Sequence, residues 1–276
     1  MATIKYTDGL RREYQDDFNT MELVTGTAPD IDMILRKYTE NEGLYAGVAQ
    51  AVAPAMPWIV VALIHTMEAS GSMTRHLHNG DTLRNRTTHV PAGRPATGTP
   101  PFTWEESAID ALGDRGLNRR KDWTVPGVLF TLEAYNGWGY RLHHGVETEG
   151  GTLSPYLWAG TDRYTTGKYG SDGQYDPKLT SKQIGAAAIL KRAIIKGVCH
   201  IEDWHGRVIE RQQVADALAG TGAMVRFGSN AFAVAWQRHL NTFPTINLSI
   251  DGDLGPKSSE ATKRVTGRYL QGDPRT

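Results

Sequence analysis

The stretch WIVVALIHTMEASGSMTRHLHNGD, running from Trp58 to Asp81, decides how the rest of the chain is read. Apolar residues at Trp58, Val61, Ala62, Leu63, Ile64 and Met67 follow one another without a charge, the pattern of a helix buried over most of its surface. Glu68 is the first carboxylate after that run. The Ala69-Ser70-Gly71-Ser72 that follows breaks the periodicity, so Glu68 is expected at the helix C-terminus, facing a cleft. A carboxyl group held against apolar side chains, near the negative end of a helix dipole, has its charged form disfavoured and its pKa raised. That is the condition for a general acid at neutral pH. Asp81 follows His76-Leu77-His78-Asn79-Gly80, a polar turn in which a carboxylate is expected to stay ionised. Two carboxylates pushed apart by their surroundings form the pair that glycoside hydrolysis uses. A helix-end glutamate and a turn aspartate with no chemical role are the plainer alternative.

Composition sets the bounds. The 276 residues suffice for one sizeable domain and a small one, and 22% charged residues indicate a globular protein rather than a disordered or fibrous one. Lys+Arg and Asp+Glu both number 30, so no basic excess points to nucleic acid. The balance is uneven, with seven Lys/Arg against four Asp/Glu in residues 222–276, a weakly cationic tail. Cys199 is the one cysteine, which leaves no internal disulfide and fits a reducing compartment. The N-terminal stretch is polar and acidic where a secretory signal would carry its apolar core. Leu44 to Ile64 is apolar enough to suggest a membrane span, but Pro54, Pro57 and Gln50 interrupt it, so a buried helix pair is the expectation and no membrane insertion is foreseen.

Helical spacing runs over residues 8–24 and 30–41, with Asp30 or Asp32 able to cap the second helix, and over 43–53, closed by Pro54. Residues 83–101, rich in Thr, Arg, Gly and Pro, cannot form a regular helix and are expected to wall a cleft after Asp81. Thr103 reads as a cap over Glu106. A helix from Val125 to Tyr135 ends in Tyr135-Asn136-Gly137-Trp138-Gly139-Tyr140, and rings continue through Ser154-Pro155-Tyr156-Leu157-Trp158, Tyr164, Tyr169 and Tyr175. Aromatic platforms beside Asn and Asp suit a carbohydrate cleft, or else only close and pack the helix end. Glu133 reads as a solvated helix residue. Ser181 to Val198 is an Ala/Ile/Leu-rich core helix, Glu202 to Arg211 a surface helix, and the small residues 219–224 the domain boundary. The fold is therefore expected to be mainly α, with domains at 1–218 and 222–276.

Several of these residues resemble known families. Glu133-Ala-Tyr-Asn-Gly137 resembles an element of the goose-type lysozyme and lytic transglycosylase superfamily, and Glu68-Ala-Ser70 resembles its catalytic Glu-Ser element, with Ala69 inserted. The longer pattern HLHNGD, RTTHVPAGRP, PPFTWEESAIDAL, EAYNG, SPYLW, GKY and YDP is similar to a lysozyme-like group found among phage endolysins, covering about Leu10 to Leu190. The Gly-Leu-Met-Gln element of the transglycosylases is missing. In the tail, Val234-Ala-Trp236-Gln-Arg-His-Leu-Asn241 and Ile250-Asp251-Gly-Asp253-Leu-Gly-Pro256 resemble the small three-helix peptidoglycan-binding module, with Trp236, Asp251 and Asp253 as its candidate contacts.

The resemblance implies a lysozyme-like helical domain acting on bacterial peptidoglycan, monomeric and without a cofactor or metal. Glu68 and Asp81 would be catalytic, and His78, Asn79, Tyr135, Asn136, Tyr156 and Trp158 would hold the sugars. Such an enzyme would accumulate in the bacterial cytoplasm and reach the wall once the membrane is opened. A muramidase is the leading expectation and a lytic transglycosylase the runner-up. A metal peptidase, suggested by His76 and His78 with Asp81, His89, His143 and His144, and a non-catalytic wall-binding protein are the other classes.

Overall fold

The computed structural model describes residues 4–145, 152–170, 173–203, 231–243, 246–250, 254–270, 273 and 275. The fold is mainly α. Two compact units divide the chain, Met1–Val208 and Ile209–Thr276. The boundary expected at 219–224 and the surface helix expected at 202–211 fall almost wholly outside the described residues.

In the first unit, α1 (Asp8–Thr20), α2 (Thr27–Glu40) and α3 (Glu42–Val52) lead to α4 (Trp58–Ala69). The helix expected to reach residue 24 stops at Thr20, because Met21 turns extended and Leu23 bridges to Thr161. Neither Asp30 nor Asp32 caps α2. The helix starts earlier, after Gly26 in the left-handed region, and Asp32 instead takes a two-pronged bond from Arg192 at 2.8 Å on both oxygens. Pro57 ends the extended approach to α4, whose residues Ile59 through Ile64 are completely buried. Burying each of these large aliphatic side chains contributes about 1.5–3 kcal/mol, so α4 is the axis on which α3 and the later helix Ala186–Ile195 pack.

Residues 83–101 form no helix or strand. They fold back through Thr87, whose hydroxyl donates to the Pro91 carbonyl and accepts from the Arg94 amide. Then comes α5 (Trp104–Asp114), opened by a capping box in which Thr103 and Glu106 bond each other's amides. A 3₁₀ turn at Leu117–Arg119 precedes α6 (Val125–Asn136), α7 (Gly139–His143) and α8 (Pro155–Trp158). The single sheet among the described residues is the hairpin of β1 (Lys168–Tyr169) and β2 (Tyr175–Asp176). The last helix of the unit among the described residues, α9, spans Ala186–Ile195 and not 181–198. Gly185 at its N-cap is extended, lies against the Leu157 carbonyl and donates to the Ala159 carbonyl at 2.7 Å, so the chain is tied to the end of α8 before it enters α9.

The second unit contributes α10 (Ala231–Leu240) and α11 (Pro256–Thr266), two of the three helices expected there. Their core gathers Ala233, Trp236, Leu240, Leu254, Ala261 and Leu270, and the Trp236 indole N–H donates to Thr262 at 2.9 Å. Among the described residues no helix is long and apolar enough to cross a membrane.

Candidate functional site

Glu68 stands one residue before the end of α4. The helix closes there on Ser70, the one non-glycine residue with positive φ (52°) among the described residues, with the Gly71 amide bonding back to the His65 carbonyl. Gln183 completes the end by donating its amide to the Thr66 and Met67 carbonyls at 3.2 and 3.1 Å. The glutamate carboxyl is half-buried, and the Tyr156 hydroxyl donates to its Oε1 at 2.9 Å. Burial pushes its pKa up, and the Tyr156 bond and the positive charge of Arg115 pull the other way with less effect. Tyr135 lies beside it with its own pKa raised, first by burial and then by the Glu68 charge, and Arg115 stacks over the Tyr135 ring at 5.2 Å. One acid, two phenols and one guanidinium thus form a cluster at the end of the buried helix.

Asp81 has a different job in the geometry. Its Oδ2 accepts from the Thr88 amide at 2.8 Å, the His89 amide at 3.0 Å, the Thr88 hydroxyl at 3.3 Å and the Asn79 amide nitrogen at 3.3 Å, while Oδ1 lies 2.6 Å from His89 Nδ1. These bonds, led by those of His89, hold its carboxyl well below the usual carboxylate range, so it is ionised. They also fasten the 79–89 turn. Every one of these bonds of Asp81 is to its own turn, whereas Glu68 is bonded by Tyr156 of α8.

The other expected contacts separate into two groups. Tyr156 and Asn136 line a cavity of about 380 Å³ together with Gly137, Gly139, Tyr140, Pro155, Lys168, Tyr169, Ser181 and Gln183. The remaining side chains of the expected sugar cleft lie elsewhere. Trp158 is 1% exposed and belongs to the core, Tyr135 is buried under Arg115, His78 is buried with Nε2 at 2.8 Å from Asp110, and Asn79 donates to the His89 carbonyl and to Asp81. His76 is likewise committed, with Ser107 on Nδ1 and the Asn85 carbonyl on Nε2, both at 2.8 Å. Among the described residues no group of three His, Cys, Asp or Glu side chains has a metal-holding arrangement. Trp236 sits in the core of the second unit, and Asp251 and Asp253 lie outside the described residues.

Glu133 is not a solvated helix residue. It is 3% exposed and takes three donor contacts from Arg141, the closest at 3.0 Å, together with the Tyr14 hydroxyl, while Arg141 also reaches Glu13 at 2.8 Å. The helix pattern of α6 hid this, because the partner cation arrives from the next helix. Arg115, Gln183 and Lys168 are the site residues that the sequence reading missed. Only Tyr169 and Tyr140 carried a signal, as members of the aromatic run.

A mainly helical protein with a half-buried, phenol-bonded glutamate at the end of its central helix is the class that fold and site define. In comparisons with known proteins, no family model, curated protein or solved structure matches the chain.

Proposed function

We propose that the chain cleaves the β-1,4 bond between N-acetylmuramic acid and N-acetylglucosamine in bacterial peptidoglycan, with Glu68 as the general acid. The observation that carries the reading is a carboxyl group whose charged form is disfavoured by burial, bonded by Tyr156 where that ring joins Tyr140 and Tyr169 in walling a cavity. Glu68 gives its proton to the glycosidic oxygen as the C1–O bond breaks. Tyr156 holds the carboxyl in place, and Arg115 offsets the negative charge left on it. In the muramidase form, water adds to C1 and Asp81 receives its proton or steadies the oxocarbenium-like transition state. The resemblance of the HLHNGD and EAYNG stretches to lysozyme-like phage endolysins supports the same reading, as does the tail's resemblance to a wall-binding module.

One observation favours a second form. Asp81 already accepts from five donors of its own turn. A lytic transglycosylase needs no second carboxylate. There Glu68, having given its proton to the leaving oxygen, takes the proton of the muramic 6-hydroxyl as that oxygen bonds to C1. Purified peptidoglycan digested by the wild type and by Glu68→Gln, with fragments weighed before and after borohydride reduction, decides between them. Reducible muramic ends that vanish in the variant are expected; anhydro ends would select the transglycosylase. Fragments released equally by Glu68→Gln would overturn the assignment of the acid.

A further inference from the structure

The cavity beside Glu68 has one feature that a neutral sugar does not explain. Its walls are three tyrosine rings, the neutral hydrogen-bonding groups of Asn136, Ser181 and Gln183, and Lys168, the one charged side chain among the described residues lining it. Lys168 is half-buried on β1 and has no carboxylate partner among the described residues. Its cross-strand neighbour is Asp176, where an ion pair would be expected. The two form no ion pair, however, and the Asp176 carboxylate accepts from the Lys178 amide at 2.8 Å. The hairpin therefore places a lysine without a carboxylate partner among the described residues on the lining of a cavity that shares Tyr156 with the acid.

The rings are fixed in place by one another. Tyr140 meets Tyr169 edge to face at 5.1 Å and its hydroxyl accepts from the Tyr169 amide, while Tyr175 stacks on His144 at 3.6 Å behind them. A Cβ added at Gly139 would lie 3.3 Å from the Tyr169 hydroxyl, so the wall has no slack there. The aromatic wall of the cavity is thus formed before a ligand arrives, which lowers the ordering cost of binding. Chitin-like glycans offer only hydroxyls and acetamides. Peptidoglycan differs by the lactyl-linked peptide on each muramic unit, and that stem carries carboxylates.

Resting on the muramic-glycan reading above, we propose that this cavity seats the peptide-bearing muramoyl unit and that Lys168 pairs with a carboxylate of its stem, so that the site selects glycan whose stem carboxylates are free. The test compares two soluble probes on the full chain, a disaccharide carrying its stem peptide and the same disaccharide peptide with its stem carboxylates converted to amides. Binding is measured by calorimetry in the Glu68→Gln background. Cleavage by the otherwise wild-type chain is measured on glycan strands with free and with amidated stems. Lys168→Gln should lower the free-stem to amidated-stem ratio about tenfold, in association constant and in kcat/KM alike, and Lys168→Arg should retain it. Because each ratio is internal to one variant, a partly unfolded preparation does not mimic the effect. A ratio near one in the wild type, or a ratio unmoved by Lys168→Gln, overturns the inference while leaving the cleavage reading intact. Selective, Lys168-dependent binding without cleavage of either strand overturns the enzyme and keeps the site.

Discussion

At the scale of single residues, the chemistry turns on how burial at Glu68 is opposed. The carboxyl is pushed up by desolvation and pulled down by Tyr156 and Arg115, and the sign of the net shift has a consequence for stability. A group whose pKa is raised on folding contributes its stability fully below its unfolded value, about 4.3 for glutamate, and loses it as pH rises through the folded value. Wherever the pH is high enough to ionise Glu68, the buried charge costs stability. Glu68→Gln keeps an acceptor for the Tyr156 hydroxyl and removes the charge, so the variant should melt above the wild type at pH 8 and match it at pH 4. Thermal melts at the two pH values check this; a variant less stable at pH 8 would show that the buried charge is not penalised. Tyr156→Phe acts on the same balance in the opposite sense. Losing the hydrogen bond should cost about 0.5–1.5 kcal/mol and raise the Glu68 pKa further. The alkaline limb of the rate profile, where Glu68 loses its proton, should then move to higher pH, and a limb that stays in place or falls would separate Tyr156 from the acid.

At the scale of elements, helix ends with local causes are legible in the sequence and ends set by distant neighbours are not. Pro57 and the Thr103–Glu106 box mark the starts of α4 and α5 from within their own turns. Glu68 was legible for the same reason, since the Ser70-Gly71 ending follows an unbroken apolar run. By contrast, the start of α9 is decided by α8. Gly185 lies against the Leu157 carbonyl, so the chain can enter the helix only after it, and an Ala/Ile/Leu pattern that begins earlier gives no hint of this. The roles of Gln183 and Trp158 share that origin. Gln183 closes α4 from more than a hundred residues away, and Trp158, in a run of rings that reads as a platform, is drawn into the core. Gly185→Ala places a methyl group on the Leu157 carbonyl and should destabilise by about 1–3 kcal/mol. Since Ser181 and Gln183 line the cavity, its urea midpoint should fall together with the affinity for glycan. A neutral Gly185→Ala would mean that the α8–α9 contact yields without cost.

Across the whole of the first unit, what joins the N-terminal helix to the middle of the chain is a buried ion pair. Arg141 on α7 donates to Glu133 on α6 and to Glu13 on α1, its guanidinium lies 5.1 Å over the Tyr14 ring, and the Tyr14 hydroxyl closes the set on Glu133. Burial works against the Arg141 charge, but Glu133 and its hydrogen bonds outweigh it and hold the guanidinium firmly protonated. Such a pair is weak evidence of net stabilisation, because desolvating two charges offsets much of their attraction. Removing one partner is another matter. Arg141→Met strands a carboxylate that is 3% exposed and should cost about 3–5 kcal/mol. Adding Glu133→Gln removes the stranded charge, and the double variant should recover much of the loss. Urea denaturation of the wild type, both single variants and the double variant gives the coupling directly. Hydrogen exchange should locate it, with protection falling first in Asp8–Thr20, because α1 is the element whose attachment depends on contacts more than a hundred residues away. A cost below about 1 kcal/mol for Arg141→Met would be that of a solvent-screened surface pair, and would place the attachment of α1 in its apolar contacts with α6 alone.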